Sequence, residues 1–455
     1  MYACGVTTYD YCHVGHAMQA IFYDVFNRYL KFSGYKTQYV RNYTDIDDKI
    51  IERAKELNIP ALELSEKMIR ATKEDMAVLG VRPADQEPRA TAYIPQTIRL
   101  TQKLIEGGQA YESSGSVYFR VKRFPAYGKL SHQNIEMLNE GVRVESAAGK
   151  EDPLDFAIWK SVVPDEIGWE SPWGRGRPGW HIECTTLVFE CLGQKIDIHG
   201  GGRDLVFPHH ENEIAQSESL TQADFAGYWI HCGLITVNGQ KMSKSLGNSL
   251  SIREAVKKAH PLAIRFSILT NHYGSNIDFS ERIFQEAYKR LVYFYNTLIA
   301  AEDFKEKYAI PDDDQIQSKV VDDFKRAMDD DFNTAQAIGL YSDVFKKLNE
   351  LLAGSENEKK NRSSEIMALY QSLRLTGNVL GFFEGDLKIA MAQIQRYLLQ
   401  NIRFKEEQIK HLIDERETAR HQRDFRRADE IRTTLLKEKI QLQDSPGSTR
   451  WQVVL

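Results

Sequence analysis

The stretch MYACGVTTYDYCHVGHA, residues 1–17, decides how this chain folds. Met1 to Val6 is a short apolar run and reads as a strand. Thr7 to Asp10 form a turn, and His13-Val14-Gly15-His16 open a helix that runs through Phe22 to Leu30. A strand feeding a helix through a polar, glycine-bearing turn is where nucleotide folds hold phosphates, because the free N–H groups of a helix N-terminus favour anions. The two imidazoles, three residues apart, share a helix face. Gly15 between them leaves the backbone open to a ligand's base or ribose. Taken alone, HxGH has two readings: a phosphate-binding pair, or histidines that cap and brace the helix.

Working outward, Tyr35 to Arg41 (YKTQYVR) alternates like a strand, and Asn42 to Lys49 (NYTDIDDK) reads as a polar turn. Strand, helix and strand make a βαβ unit, which predicts an α/β fold with a parallel sheet and a ligand at the carboxyl ends of its strands. The acidic trio Asp45, Asp47 and Asp48 suits either a metal or helix capping. Residues 50–110 carry helical periodicity, and Tyr111 to Val121 returns to strand. This segment, about 50–130, reads as an insertion that splits a Rossmann-type nucleotide fold into halves. Residues 130–179, rich in Gly, Pro, Trp and charge, form an irregular border. The second half opens with a helix from Trp180 to about Cys191, then a strand, Lys195 to Ile198, ending in His199-Gly-Gly-Gly202. Pro208 is placed to start the next helix, which sets His209 and Glu213 four apart on one face.

A chain of 455 residues has room for about three domains. Its net charge of −5 does not advertise nucleic acid, so RNA contacts must come from local basic patches. No apolar run approaches the roughly 20 residues of a membrane span, and no signal peptide is visible. A cytoplasmic protein without membrane association is expected. The five cysteines are widely spaced and odd in number, which argues against a disulfide framework. Cys12, Cys191 and Cys232 read as buried thiols. Cys4, Cys184, His209 and Glu213 are chemically a zinc set of two thiolates, an imidazole and a carboxylate. Spacing alone does not show that they converge. His210 to Ile214 begins like an HExxH metalloprotease, but Ile214 stands where the second histidine is needed, which excludes it.

HVGH at one end and Lys241-Met242-Ser243-Lys244-Ser245 downstream, in that order, resemble the class I aminoacyl-tRNA synthetases. CGVTTYDYCHVGHA, RNYTDIDDKI, GWHIECTTL, DIHGGGRDLVFPHHENEIAQSE and KMSKSLGN together resemble the cysteinyl-tRNA synthetase family, over nearly the whole chain. The resemblance implies one zinc ion per subunit on Cys4, Cys184, His209 and Glu213, with His210 behind them or near ATP. The substrate's thiol would bind that zinc, which takes a soft thiolate in preference to a hydroxyl. No segment resembles a proofreading domain. Thr44, by hydrogen bond, and Trp180, by packing, would line the amino-acid pocket. His13 and His16 would meet the triphosphate of ATP, bound with Mg2+, and Thr7 and Gly15 would lie along the nucleotide. Lys244, assisted by Lys241, would reach the departing phosphates from a loop between Val237-Asn238-Gly239 and Gly247. The chain departs from the family at Val6, where proline is common, and at Met18, where arginine often follows the motif. It opens directly on its first strand, where relatives carry a short leader.

The remainder reads as helices. The resemblance predicts a catalytic domain over 1–240, a helical connecting region over 241–300, a bundle over 301–395 and a small anticodon-binding domain over 396–455. GSENEKKNRSS, residues 354–364, reads as a solvated loop. In the tail, Arg423, Arg426 and Arg427 are candidate phosphate contacts and Trp451 a candidate base-stacking residue. The expected partners are tRNA(Cys), L-cysteine and ATP, with the protein a monomer. A related ligase that joins cysteine to an amino sugar through the same adenylate would share the motifs but not this tail. A non-catalytic RNA-binding paralogue would have lost a zinc ligand, an HVGH histidine or Lys244.

Overall fold

The computed structural model describes residues 1–133, 149–237, 239–242, 249–311, 316–400, 402–445 and 448–454. Strand β1 (Tyr2–Thr7) leads into helix α1 (Val14–Phe32), and β2 (Val40–Thr44) follows. Helix α1 buries Val14, Ala17, Met18, Ile21, Phe22, Val25, Phe26 and Tyr29, which recur at alternating steps of three and one, and its middle is enclosed on all sides, Ala20, Tyr23, Asp24 and Arg28 being buried as well. The β2 strand lies later than the alternation of residues 35–41 predicts. Its polar residues are buried because they sit where the sheet ends in the site. The Gly5 amide donates to Asn42 Oδ1 at 2.8 Å, and the Thr8 hydroxyl donates to the Thr44 carbonyl. The acidic trio is structural: Asp47 caps α2 (Asp48–Leu57), Asp45 accepts from Thr91, and Asp48 pairs with Lys160 and Arg177.

Helices α3 (Ala61–Val78) and α4 (Ile94–Glu106) come next. Where one strand is predicted over 111–121, the chain makes a hairpin of β3 (Ala110–Ser113) and β4 (Ser116–Phe119). Ser114 (φ 53°) and Gly115 (φ 80°) supply the two positive φ angles that a tight hairpin turn requires. The expected irregular border also holds regular structure: β5 (Phe156–Ser161) and β6 (Gly176–Pro178) complete an antiparallel sheet of order β3-β4-β5-β6 around the buried Trp159. Helix α5 (Trp180–Cys191), β7 (Ile196–Gly202), α6 (Glu211–Thr221) and β8 (Ala226–Cys232) form the second half. Pro208 does not start α6. Phe207 before it is extended, as a residue preceding proline tends to be, so the helix opens only after a wide turn at Val206–His210.

The main sheet is parallel, with order β2-β1-β7-β8. The described residues divide into two compact units, one of Met1–Thr236, Lys241–Ile252 and Tyr273–Ile277, the other of Val237–Gln240, Arg253–His272 and Asp278–Leu455. Short strands β9 (Ile235–Val237), β10 (Gln240–Lys241) and β11 (Ile277–Phe279) lie where the chain passes between them.

The second unit is helical: α7 (Ile252–Lys258, whose first residue belongs to the first unit), α8 (Pro261–Leu269), α9 (Glu281–Lys307), α10 (Ser318–Asp329), α11 (Thr334–Leu352), α12 (Glu356–Asn361), α13 (Ser363–Val379) and α14 (Leu387–Leu399). Its packing centres on Phe294, stacked on Phe345 at 4.2 Å. Helix α12 stands where a loop is predicted, because Ser355 and Glu358 close a capping box. The chain ends in α15 (Glu406–His421), α16 (Phe425–Lys437) and the antiparallel pair β12 (Ile440–Ser445) and β13 (Ser448–Val453), around Ile409, Ile413, Ile431, Leu435, Ile440 and Leu442.

Candidate active site

In an open parallel sheet the ligand crevice lies where strand order reverses, at the carboxyl ends of the strands. Here that point falls between β1 and β7, since β2 flanks β1 and β8 flanks β7. Ala3 pairs with Gly200, so Cys4 emerges into this crevice. Cys184 on α5 and His209 and Glu213 around the start of α6 reach it from the second half. The Cys4 and Cys184 sulfurs are 3.8 Å apart, Cys4 Sγ is 3.6 Å from Glu213 Oε1, and His209 Nε2 is 3.0 Å from the same oxygen. All four side chains are buried, with ligand atoms within 4.8 Å of one another. Two sulfurs each about 2.3 Å from a tetrahedral zinc would lie about 3.8 Å apart. The quartet therefore fits the ion in donor chemistry and in spacing.

Its electrostatics also favour a cation. Burial works against a charged His209, yet the Glu213 carboxylate and Cys184 outweigh it and push the imidazole up to about 10. A hydrogen bond from Cys4 draws the Cys184 thiol down to about 6 against the effect of burial. Burial pushes Cys4 up. Glu213 is held well below the usual carboxylate range, because His199 and His209 overcome its burial.

Around the quartet lies a shell of histidines that the sequence reading missed. His199 Nε2 meets Glu213 Oε2 at 2.9 Å, and His181 Nδ1 meets His209 Nδ1 at 2.9 Å. His210, expected behind the ligands, contacts His231 at 2.8 Å and with Cys4 and His199 forms a second, three-residue cluster. The available signal was positional: His181 precedes Cys184 by one helical turn, His199 lies at the middle of β7, and His231 lies near the carboxyl end of β8. Trp180, partly exposed, lays its ring 4.3 Å from that of His209, so it borders the quartet. Thr44 is buried at the end of β2 and pairs with Thr7 of β1. Glu183, buried beside Cys184, is pushed up by burial and by the nearby Cys184, Asp47 and Asp45.

HVGH does cap its helix. His13 Nδ1 accepts from the Gly15 amide, His16 Nδ1 accepts from the His13 amide, and the two rings stack at 3.8 Å. A Cβ on Gly15 would sit 2.9 Å from the His13 ring and 3.6 Å from Met242 Cε. Glycine is thus required there, and the KMSKS stretch reaches this turn through Met242. The same contact is tied by the main chain: Val14 N donates to Leu250 O, and Ile252 N donates to Cys12 O. Lys241 ends β10, while Lys244 and Asn238 lie outside the described residues. Gly239 has the positive φ of a turn. Of the remaining cysteines, Cys12 and Cys232 are buried as expected, but Cys191 is partly exposed at the end of α5.

Residues 1–289 match the model of the tRNA synthetases class I (C) catalytic domain, and residues 323–384 match the DALR domain. Cysteine–tRNA ligase of Syntrophotalea carbinolica is 47% identical over 99% of this chain and 94% of its own length. That of Pelobacter propionicus is 44% identical over 100% and 95%. This chain belongs to the cysteine–tRNA ligase family. The fold extends further: the structure of Mycobacterium tuberculosis methionyl-tRNA synthetase with methionyl-adenylate superposes with a TM-score of 0.58 at 16% identity, over 86% of this chain and 91% of that one.

As a cysteine–tRNA ligase family member, the chain carries a basic tail whose side chains can now be placed. Arg426 is 91% exposed and meets Glu430 at 3.1 Å. Arg427 is held by Glu415 at 2.7 Å, and Arg423 stands at the turn before α16 with a φ of 62°. Trp451 packs against the core of α15, α16 and β12, so its ring is engaged there. The exposed aromatic ring is Phe425, 61% accessible between Arg423 and Arg426. No described helix is long and apolar enough to cross a membrane.

Proposed function

We propose that this protein activates L-cysteine with ATP and Mg2+ to cysteinyl-adenylate and transfers the cysteinyl group to the 3′ end of tRNA(Cys), acting as a cytoplasmic monomer. The observation that carries this reading is the buried quartet at the strand-order switch of the parallel sheet, whose Cys4 lies on the strand that leads into the HVGH turn.

Cys4, Cys184, His209 and Glu213 would hold one zinc ion, which supplies a soft Lewis acid that prefers a thiolate to the hydroxyl of serine. Trp180 closes the amino-acid pocket from beside His209, and Thr44 offers a hydroxyl to the bound amino acid. The N-terminus of α1, with His13 and His16, faces the triphosphate, and Gly15 lets the adenosine lie against the backbone. In the first step a carboxylate oxygen of cysteine attacks the α-phosphorus and pyrophosphate departs. Lys241 and Lys244 neutralise charge on the leaving group. In the second step a ribose hydroxyl of the tRNA's terminal adenosine attacks the adenylate carbonyl, and AMP leaves. The protein's contribution in both is alignment and charge neutralisation.

The assignment of residues 1–240 to catalysis, with an insertion at about 50–130, of 241–300 to the connection, of 301–395 to the bundle and of 396–455 to the anticodon is part of this reading. Arg423, Arg426 and Arg427 would meet phosphates. Base stacking passes from Trp451 to Phe425, since an exposed ring between arginines suits an unpaired base.

Cysteine-dependent ATP–pyrophosphate exchange without tRNA tests the first half, with serine as control and Cys184→Ala beside the native protein. Exchange with cysteine alone, lost together with zinc in the variant, is expected. A zinc-loaded native protein that exchanges nothing overturns the reading. Aminoacylation of tRNA(Cys) then tests the second half.

A further inference from the structure

β1 does not run straight through the site. Ala3 pairs with Arg41 and Val6 with Tyr43, so Cys4 and Gly5 together face the single residue Asn42 of β2. Two residues against one is a β-bulge, a device that re-aims a side chain. The peptide group at this bulge is the one joining Cys4 to Gly5, and side chains grip it at both ends. Its carbonyl accepts from Gln19 Nε2 at 2.7 Å, and its N–H donates to Asn42 Oδ1 at 2.8 Å.

We propose that Gln19 and Asn42 are positioning residues that clamp the Cys4–Gly5 peptide plane and thereby aim the Cys4 sulfur at the metal. This inference rests on the reading of the quartet as a zinc site. The direction of a Cα–Cβ bond follows from the planes of the peptides on either side of it, so fixing the plane after Cys4 constrains where its sulfur points. Neither grip is replaceable by packing. A cavity of about 20 Å³ borders Cys4, Gly5, Gln19 and Asn42, so close contact does not hold the bulge from that side. Gly5 cannot lend bulk either, because a Cβ there would lie 1.7 Å from the Asn42 carbonyl oxygen. Gln19 sits on α1 three residues beyond His16, so the helix that carries HVGH also carries one jaw of the clamp. Outer partners of this kind orient metal ligands and tune affinity.

Gln19→Met tests the clamp, since methionine is near in size, partly exposed at this position and unable to donate. Three quantities are read: zinc retention against a competing chelator, the absorption spectrum of the cobalt(II) form, and KM for cysteine against KM for ATP in pyrophosphate exchange. The expected result is a roughly 10–100-fold loss of zinc affinity, an altered cobalt spectrum and a raised KM for cysteine, with KM for ATP and the thermal midpoint kept. Gln19→Glu, which sets an acceptor against the carbonyl, is expected to do worse. A Gln19→Met protein with native zinc affinity and the native cobalt spectrum overturns the clamp while leaving the zinc site standing. A native protein that takes up neither zinc nor cobalt overturns the reading of the quartet, and the clamp with it.

Discussion

Glu213 ties three side chains of the site together: one oxygen meets His209 and Cys4, the other His199. Glu213→Gln preserves size but removes the charge that both histidines hold. Zinc affinity, measured against a chelator, should fall by more than the roughly 10–100-fold typical of outer partners. Gly5→Ala makes a different prediction. Its Cβ has no place beside the Asn42 carbonyl, so the variant should lose at least about 2 kcal/mol in chemical denaturation, as overpacked sites do. An unchanged midpoint would show that β1 and β2 separate readily. At this scale the residue types of Cys4, Cys184, His209 and Glu213 suggested a zinc set by their chemistry, but only the family resemblance joined four positions so far apart in sequence. His181, His199 and His231 were not legible, because an isolated histidine looks the same whether it braces a ligand or fills a core. The bulge that aims Cys4 was hidden for another reason: it depends on register between strands almost forty residues apart.

Among the elements, helix α1 follows its apolar spacing, with residues recurring at steps of three and one, whereas α5 buries the unbroken run Ile182–Val188 and carries no such stripe. Short pieces were harder. The β3–β4 hairpin was read as one strand because Ser114 takes a positive φ as a non-glycine residue, while α12 was read as loop because its six exposed residues bury nothing and only the Ser355–Glu358 box announces it. Helix α8 shows how an end can carry a pH response. His260 Nδ1 accepts from the Leu262 amide at 3.2 Å, which only the neutral imidazole can do, and burial lowers the group to about 4. A base whose folded pKa lies below its unfolded value near 6.5 loses stability on acidification. From this group, stability should be level above about pH 6.5 and fall by about 1.4 kcal/mol per pH unit down to pH 4. His260→Asn keeps a capping side chain and should flatten that slope in urea titrations at several pH values. A slope identical in the variant would assign the response elsewhere.

For the molecule as a whole, a net charge of −5 means that RNA must be met by local cations. Arg426, next to Phe425 and 91% exposed against 47% for Arg427, is the sharpest test. Arg426→Ala should weaken tRNA binding and reduce the salt slope by about 1. Phe425→Ala should weaken binding with little change in that slope, because stacking releases no counterions. Neither should alter pyrophosphate exchange without tRNA. Composition alone gives no hint of RNA binding, since whole-chain charge averages over a tail in which Arg426 and Arg427 are each paired with a glutamate, Glu430 and Glu415.

The order of strands in the parallel sheet also governs when the protein can become active. β1 is synthesised long before its inner neighbour β7, and Cys4 finds Cys184 and Glu213 180 and 209 positions further along the chain. Contacts so remote form late, after shorter loops have closed. During synthesis the first half therefore waits with an open strand edge and only Cys4 of the four candidate ligands. A nascent chain arrested before α6 should retain no zinc, and one arrested beyond β8 should. On the proposed reading of the quartet, metal capture would act as a checkpoint on the growing polypeptide, registering that both halves of the nucleotide fold have been made and have met.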